Sequence, residues 1–348
     1  MSRVRYSHRE RGTRGWTLSK RLLITGGAGF IGFHLANYLV KKGYHVCLAD
    51  NHARGIVDND LERLVVRTEV TFFNVDLLDS VAVISLGKNY DAIFHLGAII
   101  GVKNVLENPF NVLVDNTRML ENVMQLARKQ LNLTRFLFAS TSEVYAGTLK
   151  HFNLTIPTSE NVALTVTDLD HPRTSYMLSK IMGEAIVQHS GLPFVIFRPH
   201  NVYGPRMGMA HVIPEQLKKA FKANAGDQLD VYSTEHTRAF CYIDDAVRML
   251  YKMLILDGCI RRTLNLGTEA PEITVRQVVD ACISVTGKSL GIRALESAVG
   301  SPARRAPDMS LTRKLLNYEA RVGLDEGITR TWDWYRKHVF ESGGPSAE

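Results

Sequence analysis

A tyrosine and a lysine four residues apart are the groups best placed for acid–base chemistry in this chain of 348 residues: Tyr176 and Lys180, in Ser175-Tyr176-Met177-Leu178-Ser179-Lys180. On a helix, positions i and i+4 share a face, so the ammonium lies near the phenol. A free phenol, with a pKa of about 10, is a poor base near neutrality. A neighbouring cation favours the phenolate and brings Tyr176 into working range. Thr141 lies in a second polar cluster, Ser140-Thr141-Ser142-Glu143-Val144-Tyr145, and can hydrogen-bond the same substrate hydroxyl. A Tyr and a Lys at this spacing also fit an ordinary solvated helix, so their meaning depends on what surrounds them.

What surrounds them is a nucleotide-binding pattern. The apolar run Leu22-Leu23-Ile24 leads into Thr25-Gly26-Gly27-Ala28-Gly29-Phe30-Ile31-Gly32, and an apolar-periodic stretch follows from Phe30 to Val40, stopping at Gly43. Strand, glycines, helix is the order that holds a dinucleotide pyrophosphate, because glycine permits the tight turn and the close approach of backbone N–H groups. The G-x-x-G-x-x-G spacing is one residue longer than the usual dehydrogenase fingerprint. A second run, His45 to Asp50, ends in a carboxylate 18 residues after Gly32, where an acidic group receives the hydroxyls of an adenosine ribose. A carboxylate there repels a 2′-phosphate, so the expected cofactor is NAD rather than NADP, with Arg54 four residues on as a moderating cation. The bland alternative for Asp50 is a turn cap. Asp76, after Thr71-Phe72-Phe73-Asn74-Val75, is placed to touch the adenine edge.

Six apolar runs, at 22–25, 46–50, 70–75, 92–96, 135–140 and 194–198, alternate with helical stretches. This predicts an α/β fold: a doubly wound parallel Rossmann sheet with a smaller C-terminal α/β cap that binds substrate. Ligands in such sheets lie beyond the carboxyl ends of the strands, which places Leu96-Gly97-Ala98 and the Thr141 cluster in the site. Past residue 204 the pattern becomes irregular, with helical stretches at 214–224, 275–286, 310–317 and 325–338. The expected division is a basic disordered leader over 1–20, an NAD-binding domain over 21–203 with a segment near 236–258 returning to it, a substrate domain over 204–235 and 259–340, and a tail over 341–348.

The net charge of +7 raises the question of nucleic acid. Residues 1–21, however, hold seven cations against Glu10, so the remainder is close to neutral and no nucleic-acid face is expected on the body. No apolar stretch approaches the roughly 20 residues needed to span a bilayer, and the first 21 residues lack a signal-peptide core, so neither membrane attachment nor secretion is expected. Cys47, Cys241, Cys259 and Cys282 are far apart, which fits a reduced, cytoplasmic setting. His95, His200 and His211 lack ligand spacing and are not expected to bind a metal.

Over roughly residues 21–338 the chain resembles the extended short-chain dehydrogenase/reductase family that works on nucleotide sugars. The resemblance rests on Thr25–Gly32, Asp50, Asp76-Leu77, His95-Leu96-Gly97-Ala98, Asn116, Thr141–Tyr145, Tyr176 with Lys180, Arg198–Pro205, Arg238 and Arg305. It implies cofactor contacts from Gly26, Gly29, Phe30, Ile31, Gly32, Asp50, Asn51, Asp76, Leu77, Leu96, Gly97, Ala98, Asn116, Tyr176 and Lys180, the last holding the nicotinamide ribose. It implies that Asn201 contacts the sugar, that Arg238 and Arg305 grip the diphosphate, and that His211, Val212 and Tyr232 join Thr141 in binding substrate. Two fixed charges with bidentate forks suit a diphosphate.

In that family the tyrosine takes the proton from the sugar 4-hydroxyl while C4 gives hydride to NAD. A 4-keto group makes C5–H acidic and turns a C6 carboxylate into a β-keto acid that loses CO2. Thr141-Ser142-Glu143 resembles UDP-glucuronate decarboxylases and also GDP-mannose 4,6-dehydratases, and Ser142 stands where the dTDP-glucose dehydratases carry an acid. The catalytic set implied is Thr141, Ser142, Glu143, Tyr176 and Lys180, with Ser142 and Glu143 assisting decarboxylation or proton transfer at C5. Ala146, Gly97, His200 and the 207–214 stretch depart from the decarboxylase pattern, so a 4-epimerase, a 4,6-dehydratase and a non-catalytic NAD-sensing module remain rivals. The resemblance also implies a homodimer through the helices near 104–130 and 175–190.

Overall fold

The computed structural model describes residues 20–166, 168–297 and 302–346. Apart from Lys20, the leader expected over 1–20 lies outside them.

Seven parallel strands form the central sheet: β1 (Arg21–Thr25), β2 (His45–Asp50), β3 (Val70–Asn74), β4 (Ala92–His95), β5 (Arg135–Ala139), β6 (Phe194–Pro199) and β7 (Arg262–Leu266). Their spatial order is β7-β6-β5-β4-β1-β2-β3. The strands are apolar on both faces because both faces are covered: Leu22, Ile24 and Phe94 join one core, and Leu23, Ile93 and Phe136 the other. The strand order reverses between β1 and β4, and a crevice opens there at the carboxyl ends.

Four helices matter most to the site. Helix α1 (Phe30–Lys41) follows the glycine turn and buries Phe33, Leu35, Ala36 and Leu39. Helix α2 (Pro109–Arg128), opened by its proline, packs against α3 (Arg173–Gln188), which carries Tyr176 and Lys180. Helix α4 (Ile243–Ile255) returns to lie on α1, where Tyr38 and Tyr251 meet edge to face at 5.5 Å. Three further helices, Val212–Lys222, Val275–Ser284 and Leu324–Tyr335, pack on one another. A three-stranded sheet of Ile273–Thr274, Thr237–Arg238 and Arg304–Arg305 lies beyond the cleft.

One boundary is corrected. Residues 259–340 were expected to lie wholly in the cap, yet Arg262–Leu266 pairs in parallel with β6 as the edge strand of the main sheet. Leu264 and Leu266 are fully buried there in the core shared with α4, which is what draws the segment back. Among the described residues no helix is long and apolar enough to cross a membrane.

Candidate active site

A cleft of about 780 Å³ runs along the carboxyl edge of the sheet from the glycine turn to Arg305. At its floor the backbone of Gly26 takes a positive φ of 71°, and a Cβ there would meet the Gly97 nitrogen at 2.8 Å. A Cβ on Gly32 would lie 2.2 Å from the Gly26 carbonyl oxygen, so α1 can start against the turn only with glycine at that position. The first turn of α1 has neither a side-chain cap nor an acidic residue, and its N-terminal end faces the cleft. That is a site for an anion. Gly29, Phe30 and Ile31 line the same floor.

Asp50 closes the neighbouring wall. Its Oδ2 accepts from the Ala28 N–H at 3.0 Å and its Oδ1 from the His52 N–H at 2.8 Å, which fixes the carboxylate at the end of β2. Asn51, Asp76, Leu77, Leu96, Gly97 and Ala98 also line the cleft. These residues fit a dinucleotide: a bare helix N-terminus for the pyrophosphate, a held carboxylate for the ribose, and small residues where the backbone must come close.

Across from this floor stand Thr141, Glu143, Tyr176 and Lys180. Lys180 Nζ donates to the Ala139 carbonyl at 2.9 Å and lies 5.7 Å from the centre of the Tyr176 ring. Burial lowers the lysine to about 8, and Glu184 pulls it back up. The Tyr176 phenol is pushed above its usual value, first by burial and then by the charge of Glu143, while a hydrogen bond with Thr141 and the field of Arg54 pull it down. The Lys180 ammonium is thus anchored on Ala139 beside the Tyr176 ring, and Arg54 adds a second positive field on the phenol.

Glu143 sits in the turn Ser142–Tyr145, which Thr141 caps by accepting the Glu143 N–H at 3.2 Å. Its Oε1 accepts from Arg305 Nη1 at 2.7 Å. Arg305 holds the carboxyl below the usual carboxylate range against the opposing effect of burial, with smaller help from Arg173 and Arg238. Arg238 and Arg305 are direct neighbours on adjoining parallel strands. Asn201, its backbone at a left-handed φ of 41°, and His211 complete the cleft wall, and the Asn201 amide donates to the Ala239 carbonyl at 3.1 Å.

Five expected site residues are not among those lining this cleft. Asn116 is buried, accepting from the Ile99 N–H at 2.7 Å and donating to the Ile99 carbonyl at 3.0 Å, so it braces the segment after β4. Ser142 faces a separate small cavity beside Tyr145 and His200. Val212 lies just behind His211 in the first turn of its helix. Tyr232 ends the strand Gln228–Tyr232, whose alternation buries Leu229 and Val231 and turns Tyr232 to solvent. Arg238 donates to the Thr237 and Pro302 carbonyls, each at 2.7 Å, and reaches the cleft through its field on Glu143 rather than by lining it.

Two arginines do more than their surroundings in the chain suggest. Arg54 lines the cleft beside Gly101. Arg206 is buried and clamps Asp58 at 2.8 and 3.2 Å and the Ile56 carbonyl at 2.9 Å, joining the loop after β2 to the turn before the cap. No local pattern signals that contact, since the partners are 148 residues apart. The three histidines have separate environments: His95 bonds Thr25 Oγ1 at 2.8 Å, His200 bonds Asn265 at 3.1 Å, and His211 lines the cleft.

The model for the NAD dependent epimerase/dehydratase family matches residues 22–267. A curated relative from Bacillus cytotoxicus, UDP-N-acetyl-alpha-D-glucosaminuronate decarboxylase, is 31% identical over 334 residues, covering 92% of this chain and 99% of the relative. UDP-glucuronic acid decarboxylase 1 of Xenopus tropicalis is 32% identical, over 92% of this chain and 73% of the relative. Among solved structures, a UDP-glucuronic acid 4-epimerase mutant from Bacillus cereus, in complex with UDP-4-deoxy-4-fluoro-glucuronic acid and NAD, superposes with a TM-score of 0.79. That likeness has 25% identity and covers 91% of this chain and 99% of that one. The glycine cradle and the held Asp50 carboxylate fit the cofactor, NAD, that the family's description names. This chain is therefore an NAD-dependent enzyme and belongs to the epimerase/dehydratase family.

Proposed function

We propose that the enzyme decarboxylates a nucleoside-diphosphate hexuronate through a 4-keto intermediate, with Tyr176 as the base at the 4-hydroxyl. The observation that carries this reading is one wall of the cleft on which Tyr176, Thr141 and Lys180 stand beside an ionised Glu143 held by Arg305. The names of the Bacillus cytotoxicus and Xenopus tropicalis relatives support it.

Bound NAD supplies the hydride acceptor, and its positive ring lowers the neighbouring phenol. Tyr176 takes the proton of the C4 hydroxyl, and Thr141 holds the oxygen in place. Once C4 is a ketone, the C5–C6 bond breaks, its electron pair enters the carbonyl as an enolate, and the carboxylate leaves as CO2. The Tyr176 and Thr141 hydroxyls donate to that enolate oxygen where its charge develops. Lys180, on the Ala139 carbonyl, orients the ribose side of the site. Glu143, kept ionised by Arg305, accepts a sugar hydroxyl and orients the water that gives C5 its proton. Arg305 and Arg238 supply positive charge for the diphosphate. C5 then takes a proton from solvent water, Tyr176 returns its proton to the C4 oxygen as the hydride returns to C4, and no net redox change results.

A second reading, 4-epimerisation with the carboxyl kept, is favoured by the likeness to the Bacillus cereus 4-epimerase. Incubating the NAD-loaded enzyme with UDP-, GDP-, dTDP- and CDP-sugars and weighing the products separates the two. Loss of about 44 mass units with released CO2 supports decarboxylation, and an unchanged mass with altered chromatography supports epimerisation. Loss of about 18 would mark dehydration and overturn both. The proposal includes a homodimer through α2 and α3, where Phe110 and Met182 are exposed. A monomer in sedimentation would contradict that part.

A further inference from the structure

The segment after β5, Ser140 to Tyr145, faces two ways. Thr141 and Glu143 are directed to the cleft, whereas Ser142 and Tyr145 are buried beneath it and the Ser140 hydroxyl points to a buried carboxylate. That carboxylate is Glu184, on α3 one turn beyond Lys180 and two turns beyond Tyr176. Ser140 Oγ donates to Glu184 Oε1 at 2.5 Å. Arg198, from β6, grips the same carboxylate through Nε at 2.8 Å and Nη2 at 2.6 Å. The other arm of the guanidinium, Nη1, donates to the Tyr145 hydroxyl at 2.8 Å. That hydroxyl donates in turn to Asn265 Oδ1 on β7 at 2.9 Å. The Asn265 amide nitrogen donates to the Thr158 and Asp308 carbonyls, which fixes which end of the amide is the acceptor.

Glu184 and Arg198 are each about 95% buried. Burying such a pair costs several kcal/mol per ion in desolvation, and well-packed apolar residues would serve stability as well or better. What apolar residues cannot supply is direction. The pair ties both ends of the 140–145 segment to the helix bearing Tyr176 and Lys180. We propose that Glu184 and Arg198 are positioning residues that set Thr141 and Glu143 at working distance from Tyr176, with Tyr145 passing the constraint to the Glu143 end. The identity of the steps that suffer when the constraint is lost rests on the decarboxylase reading; the constraint itself does not.

The test uses Tyr145→Phe, which removes one hydroxyl and leaves the ion pair intact, and Glu184→Gln as the stronger variant. Two readouts apply: hydrogen exchange of the 140–146 segment in the NAD-loaded full chain, and steady-state kinetics with UDP-glucuronate as the probe, following released CO2. The expected result for Tyr145→Phe is faster exchange confined to that segment, unchanged NAD affinity, and kcat lowered about tenfold to a hundredfold with little change in KM. The proposal is overturned if exchange and kcat both match the wild type, or if the loss of kcat only follows a general loss of stability and vanishes on cooling. If the wild type converts no UDP-glucuronate, the decarboxylase reading has failed on that probe and the exchange measurement alone decides the positioning claim. Should Glu184→Gln fail to fold, Tyr145→Phe still decides between the two outcomes.

Discussion

Glu143 Oε1 and Arg305 Nη1 stand 2.7 Å apart across the cleft, joining the turn after β5 to a strand 162 residues later. The pair links the two halves of the site: one residue belongs to the Rossmann side, the other to the small sheet that also carries Arg238. Because Arg305 holds the Glu143 carboxyl below its usual range, removing the arginine must let it rise. Arg305→Ala should therefore move the acid limb of the kcat/KM profile to higher pH and lower turnover. A pH–rate series on wild type and variant checks this, and an acid limb that stays in place would separate Glu143 from the rate.

The glycine turn gives a prediction that needs no substrate. A Cβ at position 32 would lie 2.2 Å from a backbone oxygen that cannot move away cheaply. Gly32→Ala should push the start of α1 off the turn and weaken NAD binding at least about tenfold. Titration calorimetry with NAD reads the loss directly.

Lys180 is a buried ammonium lowered to about 8 from 10.5. Between those values the unfolded chain binds a proton that the folded chain does not, so this residue makes the NAD-free protein more stable as pH rises through the window. Lys180→Met should flatten that slope, raise the melting temperature near pH 7 and abolish turnover. Calorimetry at pH 7, 8 and 9 compares the slopes.

His95 and His200 are buried and held neutral, each near 3 against an ordinary value of 6.5. The unfolded chain gains their protons first as pH falls from 6.5, so their contribution to stability is lost over pH 6.5 to about 3. Urea melts at pH 6.5, 5.5 and 4.5 should show a steady decline. His200→Gln should show a shallower one, because one of the uptake sites is gone.

The elements were legible where the signal is local. β1 to β6 read as apolar runs because both faces of each are covered, and the glycine turn and the Tyr176–Lys180 pair read from spacing alone. β7 was missed because Arg262-Thr263-Leu264-Asn265-Leu266 alternates polar and apolar residues and follows a stretch without strand character. Tyr232 could have been placed outside by the alternation that buries Leu229 and Val231. Other features had no local trace. Arg206 finds Asp58, Glu143 finds Arg305, and Lys180 adds a bond to a backbone carbonyl on β5, because tertiary packing chooses those partners.

In the proposed chemistry Tyr176 starts a hydride removal at C4 that is later reversed on the same sugar. Running UDP-glucuronate deuterated at C4 in ordinary water, and locating the label in the product, tests that sequence of events without an intermediary. The expected product is a pentose with deuterium still at C4 and a solvent proton at C5, and Tyr176→Phe should give no conversion. A product that has lost the C4 label to solvent, or wild-type turnover by the Phe variant, would contradict it.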